Sequence, residues 1–142
     1  MRLWHYKLLP YLPNLQFKGQ LRELCAIMHD VRYKGKTNHI LINLVTEYPR
    51  ADLYGYYIGY AAEYKDRYGT LPMQNGEFVD FGQHQWNVYP FEGWHNKEYL
   101  RVCMANLYEK HVFGRGKSRI TDEEWKTLVE GYRKITGEDY KI

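Results

Sequence analysis

The first helical segment of the sequence carries a carboxylate flanked by amides and positive charge. Gln16, Gln20 and Glu23 are four and three residues apart, so they share one face of a helix. Lys18 and Arg22, also four apart, lie on a neighbouring face. Because neither face carries the apolar stripe, the pattern predicts that Glu23 is displayed beside the start of the chain. An ordinary solvated helix face has the same pattern, and this alternative stays open.

The segments that would position this carboxylate are an arm and the helix itself. Pro10 and Pro13 interrupt residues 1–13, so we expect an extended arm there. Asn14 is a suitable N-cap for a helix that runs to about Met28. The expected buried stripe of this helix is made of apolar residues at helical spacing: Leu21, Leu24, Cys25 and Met28.

Four more helices are predicted beyond a basic turn that contains Arg32, Lys34 and Lys36. Apolar spacing and caps place the first of them from Thr37 or Asn38 to before Pro49. The next two are expected at about 51–68 and at about 96–112. The last begins at a capping box of Thr121 and Glu124 and ends at Gly137. Residues 70–94 lack a helical period. We expect a long functional loop there, in which the alternation at 78–81 favours a short hairpin.

The sequence as a whole predicts one all-α domain. A chain of 142 residues is long enough for one core and too short for two ordinary domains. Five helices and little strand indicate a single compact orthogonal helical bundle over residues 1–142, with an extended N-terminal arm and an extra C-terminal helix in 115–142. No apolar run approaches the roughly 20 residues of a membrane span, and no signal core is present. We therefore expect a protein of the cytoplasm of a bacterial or phage-infected cell, without a membrane partner. We also expect a monomer.

The spacing of histidines and cysteines does not indicate a metal site. The six histidines are His5, His29, His39, His84, His95 and His111. They form no HExxH motif, and the two cysteines form no CxxC pair. We therefore expect neither a metal nor another cofactor. Cys25 and Cys103 both fall on apolar helical stripes, so buried free thiols are expected.

Two short runs near the start of the sequence occur together at a spacing shared with a known family. They are Met1-Arg2-Leu3 and Gln20-Leu21-Arg22-Glu23-Leu24. This pair resembles the pyrimidine-dimer DNA glycosylases, and the opening Met-Arg-Leu-Trp-His is especially similar to a bacterial and phage branch of that family. Weaker similarities at Leu53-Tyr54, Tyr89-Pro90 and His95 extend the resemblance to about residue 110.

The resemblance implies a DNA glycosylase with AP lyase activity that acts on damaged or modified pyrimidines. In that family the α-amine of the first residue attacks C1′ of the nucleotide and forms a Schiff base. A glutamate stabilises the developing sugar cation, and β-elimination then cuts the strand. Carried onto this sequence, Met1 supplies the amine and Glu23 the carboxylate. An α-amine suits this role because its ordinary pKa is about 8, which leaves a useful neutral fraction at pH 7.

The same resemblance implies a partner, double-stranded DNA with a damaged, modified or abasic nucleotide. Arg2 and Arg22 are expected to hold phosphates or the flipped nucleotide. Further contacts with the substrate or the phosphate backbone are expected from seven residues: His5, Gln16, Lys18, Gln20, Arg32, Lys34 and Lys36.

Two other functions remain as alternatives at this point. One is a non-catalytic nucleic-acid-binding module on the same fold, because Ala26 stands where the family places a second basic residue. It predicts salt-sensitive DNA binding without a trapped imine. The other is a protein-interaction module that uses the Tyr-rich helix from Tyr54 to Tyr68, and it predicts negligible DNA affinity.

Overall fold

A computed structural model describes residues 2–35 and 39–142, and every regular element within these ranges is helical. The α-helices are Asn14–Tyr33 (α1), Ile40–Thr46 (α2), Arg50–Tyr68 (α3), Asn75–Gly82 (α4), Lys97–Val112 (α5) and Asp122–Thr136 (α6). Two 3₁₀ helices span Tyr6–Tyr11 and Gly116–Ser118. The predicted all-α class is thus confirmed. None of the described helices combines the length and apolar character that crossing a membrane requires.

The six helices and the N-terminal arm bury their apolar side chains in one core, with α3 as its main contributor. Tyr56, Tyr57 and Tyr60 of α3 are completely buried, and Tyr54 is nearly so. Each such ring removes a large apolar area from water while its hydroxyl finds a partner. These tyrosines are therefore packing residues, and their rings are not displayed for a protein partner.

Helix α1 is longer than predicted and begins without the predicted cap. It continues to Tyr33 because neither Gly nor Pro occurs between Met28 and Gly35, whose φ of 66° favours a residue without a Cβ. The N-cap position belongs to Pro13. The prediction for Asn14 was wrong because its side chain accepts a hydrogen bond from the Tyr68 hydroxyl of α3 instead.

The buried face of α1 is also rotated from the predicted stripe. It consists of Phe17, Gln20, Leu24, Ile27 and Met28. Leu21 and Cys25 are only partly buried, while Cys103 on α5 is buried, and both thiols are free. The apolar pattern alone did not indicate that a glutamine would replace an apolar residue on the core face.

Residues 75–82 form helix α4, so the hairpin predicted within 70–94 was wrong. Phe78 and Phe81 are both buried, and the Phe78 ring stacks on Tyr57 with ring centroids 3.8 Å apart. Gly82 lies against Tyr54, where an added Cβ would fall 2.2 Å from the ring. Val79 and Phe81 are two apart, as on one face of a strand, whereas Phe78 and Phe81 are three apart, as on one face of a helix. Packing on α3 selects the helix.

The N-terminal arm is extended only from Arg2 to His5, after which the 3₁₀ helix begins. Pro10 does not prevent this helix, because its fixed φ is close to that of a 3₁₀ turn. The predicted capping box of Thr121 and Glu124 and the helix end at Gly137 are confirmed. The start of α2 predicted at residues 37–38 lies outside the described ranges.

Candidate active site

The extended residues 2–4 of the arm are held by side chains from three helices. Glu23 and Gln20 of α1, Tyr56 of α3 and Tyr99 of α5 all form hydrogen bonds to the arm backbone. We call this set of four side chains the arm clamp. Because the clamp bonds backbone atoms, it fixes the path of the arm whatever the side chains of residues 2–4 are.

Gln20 forms the centre of the arm clamp and is only 1% exposed. Its Nε2 donates to the Arg2 carbonyl at 2.8 Å, and its Oε1 accepts from the Trp4 amide, also at 2.8 Å. The side-chain amide therefore bonds the residues on either side of Leu3, as the N–H and C=O of one residue in a neighbouring parallel strand would.

Glu23 is the one carboxylate of the clamp. Its Oε2 accepts from the Arg2 backbone N–H at 2.8 Å and from Gln20 Nε2 at 3.2 Å. Within the described residues its Oε1 has no hydrogen-bond partner, and the side chain is partly exposed. One oxygen is thus anchored beside the start of the arm, and the other can reach a ligand.

Tyr56 and Tyr99 hold the carbonyl groups on the inner side of the arm. The Tyr56 hydroxyl donates to the Trp4 carbonyl at 2.6 Å, and the Tyr99 hydroxyl donates to the Leu3 carbonyl. Burial raises the pKa of both hydroxyls, so each remains a protonated donor at neutral pH. No sequence signal indicated either contact, because the partners are 52 and 96 residues apart.

Three basic residues belong to the arm and to the part of α1 that contains Glu23. The Arg2 guanidinium stands 5.4 Å from the centre of the Trp4 ring, and Arg22 is exposed. Lys18 is also exposed, with its Nζ 5.4 Å from the centre of the Tyr68 ring. Exposed cations of this kind suit a polyanion.

The other basic residues that were predicted to contact DNA are Arg32, Lys34 and Lys36. Arg32 pairs with Asp80, and Lys34 lies 3.4 Å from Asp30, so acids already neutralise both cations. Arg32 is also nine residues after Glu23, about 14 Å along the helix axis. Lys36 lies outside the described ranges. The proposed DNA contacts of these residues stay predictions.

Gln16 and His5 occupy different environments from those expected of DNA contacts. Gln16 is partly buried, and its Oε1 is buried without a hydrogen-bond partner among the described residues. His5 is 3% exposed, and its Nδ1 accepts from the Lys7 backbone N–H at 3.2 Å. His5 thus caps the 3₁₀ helix, a role that its position in the sequence did not indicate.

His5 belongs to a buried cluster of rings with His95, which lies just before α5. The two imidazole centroids are 5.2 Å apart, and His95 Nδ1 accepts from the Tyr6 backbone N–H at 3.1 Å. Burial lowers the pKa of His5 to about 4, and burial together with the charge of His5 lowers the pKa of His95 to about 2. Both rings are therefore neutral at pH 7.

A comparison with known protein families identifies the family of the chain. A family model described as pyrimidine dimer DNA glycosylase matches residues 1–72, which include the arm, Gln20, Glu23 and Tyr56. This match spans half of the sequence, so the chain belongs to the pyrimidine dimer DNA glycosylase family. No curated protein and no solved structure is found to be similar to the chain.

Proposed function

We propose that this protein is a DNA glycosylase and AP lyase that acts on damaged or modified pyrimidines through a Schiff base on the Met1 α-amine. The observation that carries the proposal is the 2.8 Å hydrogen bond between the Arg2 N–H and Glu23. Three covalent bonds separate the Met1 α-amine from the Arg2 amide nitrogen, a reach of about 4 Å at most. The amine and the carboxylate therefore belong to one small region.

In the first step the amine lone pair forms a bond to C1′ while the N-glycosidic bond breaks. The base leaves with the bonding electrons and takes up a proton. The attached nitrogen then loses a proton, and its lone pair opens the C1′–O4′ bond to give a protonated imine, with O4′ taking up a proton. Removal of a C2′ proton finally expels the 3′ phosphate and cuts the strand.

Glu23 serves two purposes in this sequence of steps. Its carboxylate stabilises the positive charge that develops on the sugar as the base leaves, as carboxylates do in glycoside hydrolysis. Its Oε1, which has no hydrogen-bond partner among the described residues, also accepts and returns the protons that the nitrogen and the sugar exchange. Neither purpose needs a metal ion.

The cations around Glu23 fit a phosphate backbone on either side of a flipped nucleotide. The Arg2 backbone N–H bonds Glu23, Arg22 precedes Glu23 in the sequence, and Lys18 lies about one turn before Arg22 on α1. Phosphate contacts of this kind supply most of the sequence-independent affinity for DNA. Flipping exposes C1′, which is inaccessible within the stacked duplex.

Borohydride trapping tests the proposal, because it reduces the imine to a stable covalent adduct. The wild-type protein should form an adduct with abasic duplex DNA, and peptide mapping should locate it on the N-terminal residue. Glu23→Gln should lower the trapping rate about 100-fold or more. Glu130→Gln, an exposed residue of α6, is the matched control and should trap normally.

A second variant tests the nucleophile itself. A short extension before Met1 converts the α-amine into an amide, which is not nucleophilic, and should abolish the adduct. An adduct on a lysine, or full trapping by Glu23→Gln, would contradict this mechanism. DNA binding without any adduct would instead favour a non-catalytic nucleic-acid-binding module. Duplexes with cyclobutane dimers, modified pyrimidines and abasic sites, compared side by side, would identify the substrate.

A further inference from the structure

We propose that Gln20 is a positioning residue for the amine and the Glu23 carboxylate, and that it does not contact DNA. This inference rests on the function proposed above. Its basis is that one buried amide bonds the arm on both sides of Leu3 and also bonds the carboxylate. A single side chain thereby fixes the Glu23 carboxylate relative to Arg2, the residue that follows the amine in the sequence.

The burial of Gln20 excludes it from the DNA surface. Only 1% of the residue is exposed, whereas Arg22 on the same helix is exposed. A ligand would have to displace the arm to touch the Gln20 amide. Its hydrogen bonds to the arm therefore take the place of contacts with the substrate.

The hydrogen-bond pattern allows only one orientation of the Gln20 amide. Both Nε2 protons are used, one on the Arg2 carbonyl and one on Glu23 Oε2, while Oε1 accepts from the Trp4 N–H. A flipped amide would place its oxygen against two acceptors and its NH₂ against a donor. Because Oε2 of Glu23 is held in this way, Oε1 is the oxygen left for the reaction.

The other members of the arm clamp support the same assignment. The carbonyls of Arg2, Leu3 and Trp4 each accept from a different helix, through Gln20, Tyr99 and Tyr56 respectively. Three successive carbonyls with separate donors leave the arm little freedom to slide or rotate. Preorganisation of this kind matters because misplacing a reacting group by about 1 Å can cost about 100-fold in rate.

The test separates the chemical step from binding. We would measure the single-turnover trapping rate and the Kd for abasic duplex DNA with the wild-type protein, Gln20→Ala and Gln20→Glu. Gln20→Ala should lower the trapping rate about 10- to 100-fold and leave Kd within about twofold. A change in Kd without a change in rate would mean that Gln20 contacts DNA, which overturns the inference.

Gln20→Glu supplies a readout that a merely structural role would not change. At neutral pH the new carboxylate faces Glu23 Oε2 and the Arg2 carbonyl, and like charges repel. When it is protonated it has nearly the shape of the original amide, no charge, and one O–H donor in place of the two N–H donors. The trapping rate of Gln20→Glu relative to wild type should therefore rise as the pH falls, while the ratio for Gln20→Ala stays flat. A flat ratio for both variants would overturn the inference.

Two tyrosine variants control for the loss of a buried hydrogen bond. Tyr56→Phe loses the bond to the Trp4 carbonyl of the arm, and Tyr60→Phe loses an equally buried bond to the Phe17 carbonyl within α1. Only Tyr56→Phe should slow trapping. Equal slowing by both would overturn the inference. Absence of any adduct with the wild-type protein would instead overturn the proposed function and this inference with it.

Discussion

The two halves of the N-terminal arm are held by different chemistry. Residues 2–4 are bound by the arm clamp, in which one carboxylate is only partly buried and has one oxygen without a partner among the described residues. The segment that begins at His5 is held by buried neutral rings, with His95 accepting from the Tyr6 N–H. The first half thus includes an ionisable carboxylate near the surface, whereas the second half is held by uncharged groups in the core.

The two halves also draw on different parts of the sequence. Three of the four clamp residues lie within the family match at residues 1–72, whereas Tyr99 and His95 lie beyond it. The later part of the chain thus adds one anchor to an arm whose other clamp residues lie in the earlier part. If this division is correct, variants at the histidine cluster change stability, and variants at the clamp change the rate of the reaction.

His95→Ala should have the largest effect on stability. It removes a buried ring that contacts Phe91, Trp94 and Tyr99, and it leaves the Tyr6 N–H without its acceptor. We expect the free energy of unfolding to fall by about 3 kcal/mol, measured by urea denaturation. The trapping rate per folded molecule should remain within a few-fold of wild type. The exposed His84→Asn, which suits the left-handed backbone at that position, is the control and should change neither quantity.

Acidification should weaken the same half of the arm. Burial depresses the pKa of His5 to about 4 and of His95 to about 2, below the ordinary value of about 6.5. Between pH 6.5 and 4 the unfolded chain therefore binds more protons, so stability falls as the pH falls. From pH 6 to 5 the two rings should cost up to about 2.5 kcal/mol. The His95→Ala variant should lose about half of this dependence in denaturation curves, and an unchanged dependence would contradict the assignment.

Tyr99→Phe tests the point where the later part of the chain meets the clamp. It removes the hydroxyl that donates to the Leu3 carbonyl and keeps the ring, so we expect a loss of about 1 kcal/mol in unfolding free energy. Because the arm gains freedom, the trapping rate should also fall a few-fold. Tyr108→Phe on the same helix, whose hydroxyl has no hydrogen-bond partner among the described residues, should leave both values unchanged. A rate effect without a stability effect would argue against Tyr99 as an anchor of the arm.

Arg22→Ala should produce the smallest effect, and only on DNA binding. The side chain is exposed and forms no ion pair within the described ranges, so its loss costs the fold little. If it contacts a phosphate, the slope of log K against log salt should fall by about one. Lys126→Ala on α6 is the control and should leave the slope unchanged. Binding titrations at three salt concentrations measure the slope for each variant. Equal slopes for Arg22→Ala and Lys126→Ala would show that Arg22 does not contact a phosphate.

Much of the local structure could be predicted from the sequence. The capping box at Thr121, the helix ends near Tyr68 and at Gly137 and the all-α class follow from short-range patterns, and the structure confirms them. The family was also recognisable from the runs around Arg2 and Glu23, and the family match confirms it. Helix α4 was missed because its short apolar pattern fits two periods, and only its packing against α3 distinguishes them.

The sequence by itself determined that Gln20 and Glu23 share a face of α1, because helical geometry is set by hydrogen bonds between residues four apart. Only the tertiary structure decided that Gln20 turns into the core and bonds the arm, and that Tyr56 and Tyr99 complete its anchoring. Each of those contacts joins two residues that are separated by 16, 52 or 96 positions in the sequence. They depend on how the whole core packs, which no local pattern encodes.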